Sequence, residues 1–452
     1  MRGDKFFNHS PWIEQLKQRP ADILQQDTSA DVVIIGGGIA GVATAYFALK
    51  ETQHSVLIIE AGKVAHGATG HNAGQIVSYF ERPFSSIVKE FGLKQAAQSQ
   101  KEIISAWKLI SQIYKDACLH TPLSKFTGYA GCSNLKQLIG HLENKRLRKK
   151  AGLDMERVYV SEAAAKNIPK KYTSLYSIVQ QWKIQAMLET NQSGFIAVLS
   201  SKKGCLNSAA FTEEMAGYLL RKYKKRFRIA EHTPVKKIVL EKNSAVIQTT
   251  KHFVSAKKVV LCTNGFENLD ILNTAGPEIN RGFHEMIHGI IGYMAAYIEH
   301  STKKPTALSY FLNSTMKSSD PYFYLTRRYY EQEPKQKHAL VCVGGPEIRL
   351  NEKSRYHKLS QYLPSAQKAI DLFIHSSYAQ APKSTKYKFK WHGLMGYTKT
   401  RLRCIGPEKR NKVLLYNLGC NGVGILPSIY GGKRIAQFLQ NKKLKPLIFD
   451  PR

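Results

Sequence analysis

The chain has 452 residues, with 67 Lys and Arg against 33 Asp and Glu (+34 at pH 7), 43% hydrophobic residues and seven cysteines. That length and apolar content predict a large core and two domains, and exclude a disordered or collagen-like chain. The cysteines (Cys118, Cys132, Cys205, Cys262, Cys342, Cys404, Cys420) are scattered and odd in number, never in CxxC spacing, which excludes a disulfide framework and a zinc site and points to a reducing, cytoplasmic setting.

Residues 1–30 read as a polar lead-in with no signal-peptide pattern, in which Pro11-Trp12 tucks an aromatic against the body. Asp31-Val32-Val33-Ile34-Ile35 then reads as a buried strand, Gly36-Gly37-Gly38-Ile39-Ala40-Gly41 as a turn, Val42 to Lys50 as a helix and Ser55–Ile59 as a second strand ending at Glu60 and Ala61. This is the dinucleotide-binding fingerprint. Gly36 allows the tight turn, Gly38 lets a pyrophosphate approach the backbone, and Gly41 lets helix and strand pack closely. The helix N-terminus supplies free N–H groups and a positive dipole end. Glu60 stands where a carboxylate accepts both ribose hydroxyls and repels a 2′-phosphate. A hydropathy scan of 32–49 also fits a membrane helix, but the glycines and the following strand argue against one.

The spacing predicts helices over 93–116 and 133–150, short strands over 194–199 and 203–207, and a helix from an N-cap at Thr212 to about residue 223. Strands follow at 235–241, 245–249, 252–254 and 259–262, the last ending in the turn Thr263-Asn264-Gly265. A β-rich stretch comes next (286–297, 322–326, 339–343, 387–391), with a Ser/Lys/Pro-rich loop at 300–320 and a helix near 364–376. The end returns to α/β: a strand 413–418, the turn Gly419-Cys420-Asn421-Gly422-Val423-Gly424, and a helix from Pro427 to about Gln440. An α/β start and end around a β-rich insertion predict a discontinuous nucleotide domain and a separate substrate domain. Two basic runs, 145–150 and 221–228, read as cationic helix C-termini; the charge excess over the whole chain leaves an anionic partner open.

A second glycine-rich loop, Gly67-Ala68-Thr69-Gly70-His71-Asn72-Ala73-Gly74-Gln75, follows the second strand closely. The order of GxGxxG, Glu60, this loop, Val259–Gly265 and the terminal NLGCNGVGILP resembles the D-amino-acid-oxidase-like (DAO) superfamily of FAD-dependent oxidoreductases, and within it the gamma-glutamylputrescine oxidase branch. The resemblance spans about residues 31–440. It implies an α/β fold: a discontinuous, glutathione-reductase-like FAD/NAD(P)-binding Rossmann domain (31–85, 200–270 and 392–445) with an inserted α+β substrate domain on an antiparallel sheet (86–199 and 271–391). It implies FAD, with Gly36, Gly38, Ile39, Ala40 and Gly41 at the pyrophosphate, Glu60 and Ala61 at the ribose, and Val235 at the adenine through its backbone. Gly67, Ala68, Thr69, His71, Asn72, Ala73, Gly74 and Gln75 would line the isoalloxazine side, with Thr263 and Gly265 close by. Gly422, Val423 and Gly424 would place N–H groups at the pyrimidine edge, where the reduced ring is negative.

Three departures bear on the substrate class rather than the cofactor. Many relatives carry Arg at the place of His71; sarcosine and dimethylglycine dehydrogenases resemble this chain in having His there, joined covalently to FAD, although noncovalent binding is the expectation here. Relatives often have His at the place of Val423 and Pro at the place of Arg403.

The family chemistry is hydride transfer from the C–H beside a neutral amine to the flavin, with later hydrolysis of the imine, so the substrate is a small amine or amino acid and no catalytic triad is expected. Trp391-His392-Gly393 is the candidate pocket wall, with His392 holding an amine or acid or else sitting as a satisfied core histidine. Tyr293, Tyr322 and Tyr324 form an aromatic cage or pack in the core. Arg327 and Arg328 pair with a substrate carboxylate or are solvated, and Asn421 contacts flavin or substrate. The competing readings are a flavin enzyme acting on a modified tRNA base, which the charge suits but no RNA-binding motif supports; a flavoprotein-like scaffold without turnover; and, last, a plain NAD dehydrogenase.

Overall fold

The computed structural model describes all residues except 1–7, 18, 154–155, 267, 300–302, 313–321, 334–335, 352–354 and 383. Part of the lead-in and of the 300–320 loop therefore lies outside the described residues.

The strand Thr28–Ile35 ends in an uninterrupted β-branched run, Val32 to Ile35, and its Val33 and Ile34 have no exposed surface, as expected of a strand covered on both faces. It lies between Val56–Ile59 and Phe253–Leu261, parallel to both. Among the described residues the first sheet has nine strands, extended beyond Phe253–Leu261 by the antiparallel strands Ala245–Thr249 and Val235–Leu240. The helix Ile39–Glu51 covers one face. Against it lies the terminal helix Ile425–Leu439, where a Cβ at Gly432 would come 2.7 Å from the Ala43 backbone. Gly432 thus sets how closely these two helices pack.

The second sheet is mostly antiparallel. Its long strands Ile287–Glu299, Phe323–Glu333, Gln336–Arg349 and Phe389–Thr398 form one half. Ser124–Cys132, Glu156–Ser161 and Ala197–Cys205 form the other, joined through Thr306–Phe311. Three segments assigned from the sequence to the nucleotide domain pair in this sheet: Gln75–Ile76 with Gly204 and Cys205, residues 200–205 with 124–129, and 392–398 with Ile287–Glu299. The runs 194–199 and 203–207 are one strand, Ala197–Cys205, because Ser200 to Lys203 continue the ladder despite their polarity. Runs 252–254 and 259–262 likewise merge into Phe253–Leu261. The helix placed after Thr212 begins at Ser208. Its cap is Asn207, whose side chain accepts the Ala209 and Ala210 N–H groups, while the buried Thr212 hydroxyl turns back to the Ser208 carbonyl oxygen.

The basic runs do end helices, Leu135–Lys150 and Ser208–Lys222, yet they are not simply solvated. Arg148 is buried in an ion pair with Glu156 at 2.7 Å. Arg226 donates to the carbonyl oxygens of Leu49, Thr52 and His54, closing the end of the first helix. Among the described residues, no helix is long and apolar enough to cross a membrane.

Candidate active site

Parallel pairing puts the carboxyl ends of three neighbouring strands side by side, so Gly36, Glu60 and Cys262 share one edge, where open α/β sheets bind ligands. Gly36 has φ +108°, and a Cβ there would lie 2.7 Å from the Cys262 carbonyl oxygen. Gly41 carries the close packing: its Cβ would come 1.9 Å from the Gly36 carbonyl oxygen. It therefore supports the turn from behind and does not line the cavity described below. Glu60 is fixed by the turn, accepting the Gly37 N–H at 2.7 Å and the Gly62 N–H at 2.8 Å. The helix starts at Gly38, which has no capping side chain. The Ile39 N–H is met by the Thr69 hydroxyl at 3.0 Å.

The loop 67–75 is held from within by Asn72. Its side-chain amide donates to the Ala68 and Thr69 carbonyl oxygens at 3.0 and 2.8 Å, and its Oδ1 accepts the Gly74 N–H at 2.6 Å. From below, buried Trp12 donates its indole N–H to the Asn72 carbonyl oxygen at 2.6 Å. The loop presses on the strand Phe389–Thr398, where a Cβ at Gly393 would come 2.4 Å from the His71 carbonyl oxygen. His71 Nδ1 lies 2.9 Å from the Gly67 carbonyl oxygen, so it carries the proton and Nε2 keeps its lone pair. Burial pushes His71 down to about 4, and the nearby Lys358 charge adds to this.

The terminal glycine turn docks on the same strand. Asn421, at φ +48°, donates its N–H to the Gly396 carbonyl oxygen at 3.0 Å and accepts the Thr398 N–H on Oδ1 at 2.9 Å. Asn264 ties the pieces together, its Oδ1 accepting from Cys420 N–H at 2.9 Å and from Gly396 N–H at 3.3 Å. Beneath the turn lies Arg403, 6% exposed. Its guanidinium donates to Asn417 Oδ1 at 2.6 Å and to the carbonyl oxygens of Asn417 and Gly419 at 2.8 and 3.3 Å.

The three turns converge on one cavity of about 1850 Å³. Gly36, Gly38, Ile39, Ala40, Glu60 and Ala61 line its first part, with Val235 and Thr263 beside them. Every residue from Gly67 to Gln75 except Gly70 lines the middle, and Gly422, Val423 and Gly424 close it on another side. Gly265 does not line it, because it packs against Gly396 of the second sheet.

Sequence reasoning missed much of the remaining wall. Tyr79, Glu81, Glu347, Tyr397 and Arg401 line it together with Tyr322 and Tyr324. Glu81 abuts the terminal turn, since a Cβ at Gly422 would come 2.7 Å from its carboxyl carbon. The Tyr322 hydroxyl donates to Glu81 Oε1 at 3.2 Å, and burial raises that carboxyl. Glu347 lines the cavity with accessible surface, and desolvation by the surrounding protein, reinforced by the Glu81 charge, pushes it up to about 7. No local motif marks these residues; they meet because loop 76–83 and the strand Gln336–Arg349 end at the same wall.

Other expected pocket residues lie elsewhere. His392 points to the far side of its strand, with Nδ1 3.1 Å from the Tyr356 hydroxyl and Nε2 2.9 Å from the Ser360 carbonyl oxygen, a satisfied core histidine. Trp391 shares the face of Gly393 but sits beyond the cavity, edge-on to Trp12 at 6.5 Å. Tyr293 packs on Tyr362 and His392. Arg327, buried, forms a two-point pair with Glu189 at 2.7 and 2.8 Å and also donates to the Tyr378 hydroxyl. Arg328 lies over the Trp12 ring at 4.6 Å. Arg327 is not solvated, Arg328 is half-buried, and neither reaches the cavity. Among the described residues, no group of acidic, His or Cys side chains is placed to hold a metal.

Residues 31–438 match the DAO family, described as FAD dependent oxidoreductase. The chain is 30% identical to the gamma-glutamylputrescine oxidoreductase of Escherichia coli over 99 residues, 22% of this chain and 23% of that protein. It is 32% identical to the mitochondrial dimethylglycine dehydrogenase of Mus musculus over 80 residues, 18% of this chain and 9% of that protein. The chain spans less than two thirds of the length of the curated relatives it matches. A solved glycine oxidase from Bacillus cereus superposes with a TM-score of 0.64 over 92% of this chain and 96% of its own, at 17% identity, which is a likeness of fold. The family match over nearly the whole chain, on a fold whose glycine turns meet at one cavity, shows that this chain belongs to the DAO family of FAD-dependent oxidoreductases.

Proposed function

We propose that this FAD-dependent oxidoreductase oxidises a small amine or amino acid at the C–H beside its nitrogen. The observation that carries this reading is a single cavity of about 1850 Å³, glycine-lined at one end and walled by tyrosines and carboxylates at the other. Its volume exceeds the roughly 300–1,000 Å³ of a typical small-ligand pocket, leaving room for a dinucleotide and a substrate together.

The residues present fit FAD. The uncapped helix start at Gly38 leaves first-turn N–H groups for a pyrophosphate, and the Cβ-free Gly36 and Gly38 let it approach. Glu60, already oriented by two backbone N–H groups, would hold the ribose, and Val235 would meet the adenine. Loop 67–75 and residues 422–424 would cradle the ring. When bound, FAD would supply a two-electron acceptor for the hydride of that C–H bond, and the substrate would be left as an imine open to hydrolysis. The chain itself orients the substrate between the tyrosines and keeps the reacting nitrogen out of bulk water. A cytoplasmic setting belongs to the same reading, supported by seven unpaired cysteines.

The test is a purified protein with a visible flavin spectrum that bleaches anaerobically on addition of an amine. A colourless protein that FAD cannot reconstitute, or a flavin that no amine or amino acid reduces, refutes it.

A further inference from the structure

The far wall of the cavity makes an electrostatic demand that the protein leaves unmet. Glu81 receives one side-chain hydrogen bond, from Tyr322. The Glu347 carboxylate has no hydrogen-bond or ion-pair partner among the described residues, and each carboxylate raises the cost of ionising the other. Arg401 offsets part of this charge from the cavity edge without forming an ion pair with either. Tyr397 is 5% exposed, lines the cavity, stacks on His288 at 6.0 Å and lies in the field of both carboxylates; its hydroxyl has no partner among the described residues. Tyr324 presents a second unpartnered hydroxyl. Two carboxylates, free phenol oxygens and aromatic faces together recognise an organic cation.

That cation is not the nitrogen being oxidised. Hydride loss from the neighbouring carbon is driven by the nitrogen lone pair, so the reacting amine must be neutral. Carboxylates in contact would hold it protonated. We propose that Glu81 and Glu347 hold a second, non-reacting ammonium, so that the substrate is diamine-like: an oxidisable amine joined by a short chain to a nitrogen that stays protonated. This assignment rests on the amine-oxidation reading above.

Three compounds of equal chain length separate the possibilities: n-butylamine, putrescine and γ-aminobutyrate, whose far ends are neutral, cationic and anionic. Each is titrated anaerobically into the yellow holoprotein, following perturbation and bleaching of the flavin band. Putrescine should act at a concentration at least about tenfold below n-butylamine, or ~1.4 kcal/mol, with γ-aminobutyrate weakest. E347Q should erase most of that preference, and E81Q provides an independent variant of the same wall; retained flavin colour shows that each has folded. Equal responses to butylamine and putrescine, or an unchanged preference in both variants, overturn the assignment while leaving amine oxidation standing. A flavin that no amine reduces overturns both.

Discussion

Arg403→Met should weaken FAD binding far more than it weakens the empty fold. The Arg403 side chain is 6% exposed, lines the cavity and donates to three carbonyl oxygens, with no carboxylate partner among the described residues. Burial pulls it down to about 10. At about 1.4 kcal/mol per tenfold change in proton affinity, keeping it charged costs ~3 kcal/mol at neutral pH, a cost that stays in full up to about pH 10 and shrinks only above it. A dinucleotide diphosphate in the same cavity supplies the missing negative charge and recovers much of that energy. In the empty protein, methionine removes the charge penalty but strands three acceptors at roughly 1 kcal/mol each, so the two changes nearly cancel. FAD affinity should therefore fall about 100-fold, or ~3 kcal/mol, while the thermal midpoint of the apoprotein barely moves. Fluorescence titration of FAD into apoprotein measures the first and calorimetry the second. An unchanged dissociation constant with a much lower apo midpoint would show that Arg403 only clamps Asn417 and Gly419, and the charge argument would fail.

Two further outcomes follow from other groups. His71 takes a proton near pH 6.5 in the unfolded chain but only near 4 in the folded one. Stability should thus drop by ~3 kcal/mol as the pH falls from 6.5 to 4, and His71→Gln should lose that share of the slope in urea melts; an identical slope in the variant, where His66, His141 and His392 still titrate, would contradict it. Arg327→Ala removes the ion-pair partner of the Glu189 carboxylate, which keeps a hydrogen bond from the Tyr378 hydroxyl, and should cost about 3 kcal/mol in denaturant unfolding, with the amine concentration dependence unchanged. Weaker amine binding at undiminished stability would return Arg327 to the substrate site.

The cofactor half of the cavity could be read from the chain because each requirement there is local. A tight turn needs Gly36 within a few residues of the strand it ends, and Glu60 closes the next strand at a fixed spacing. Asn264 and Asn421 gave weaker signals, since a lone Asn after a strand is an ordinary turn residue; their bridging role exists only once Gly396 lies between them. The substrate half could not be read in this way. Glu81 and Glu347 are 266 positions apart in a chain where charged residues are common, and only the pairing of the long antiparallel strands brings them to one wall. The same limit explains His392 and Trp391. The strand was located, but which of its faces and which end meet the cavity depends on the register with Ile287–Glu299, and pairing places His392 opposite Tyr293 on the side away from it. Arg327 was misread for another reason: its partner Glu189 occupies a left-handed helix end, far away in sequence and without any motif.

Trp12 carries the packed body beyond the span of the family match. The family match starts at residue 31, yet the indole ring has no exposed surface, bonds to Asn72, and stands where any side chain at Gly74 would collide with it. Asn207, the cap of the helix Ser208–Lys222, donates to the Trp12 carbonyl oxygen as well. The segment ahead of the family match is therefore a keystone under the second glycine loop, and a fragment trimmed to that boundary would remove the floor on which the loop rests.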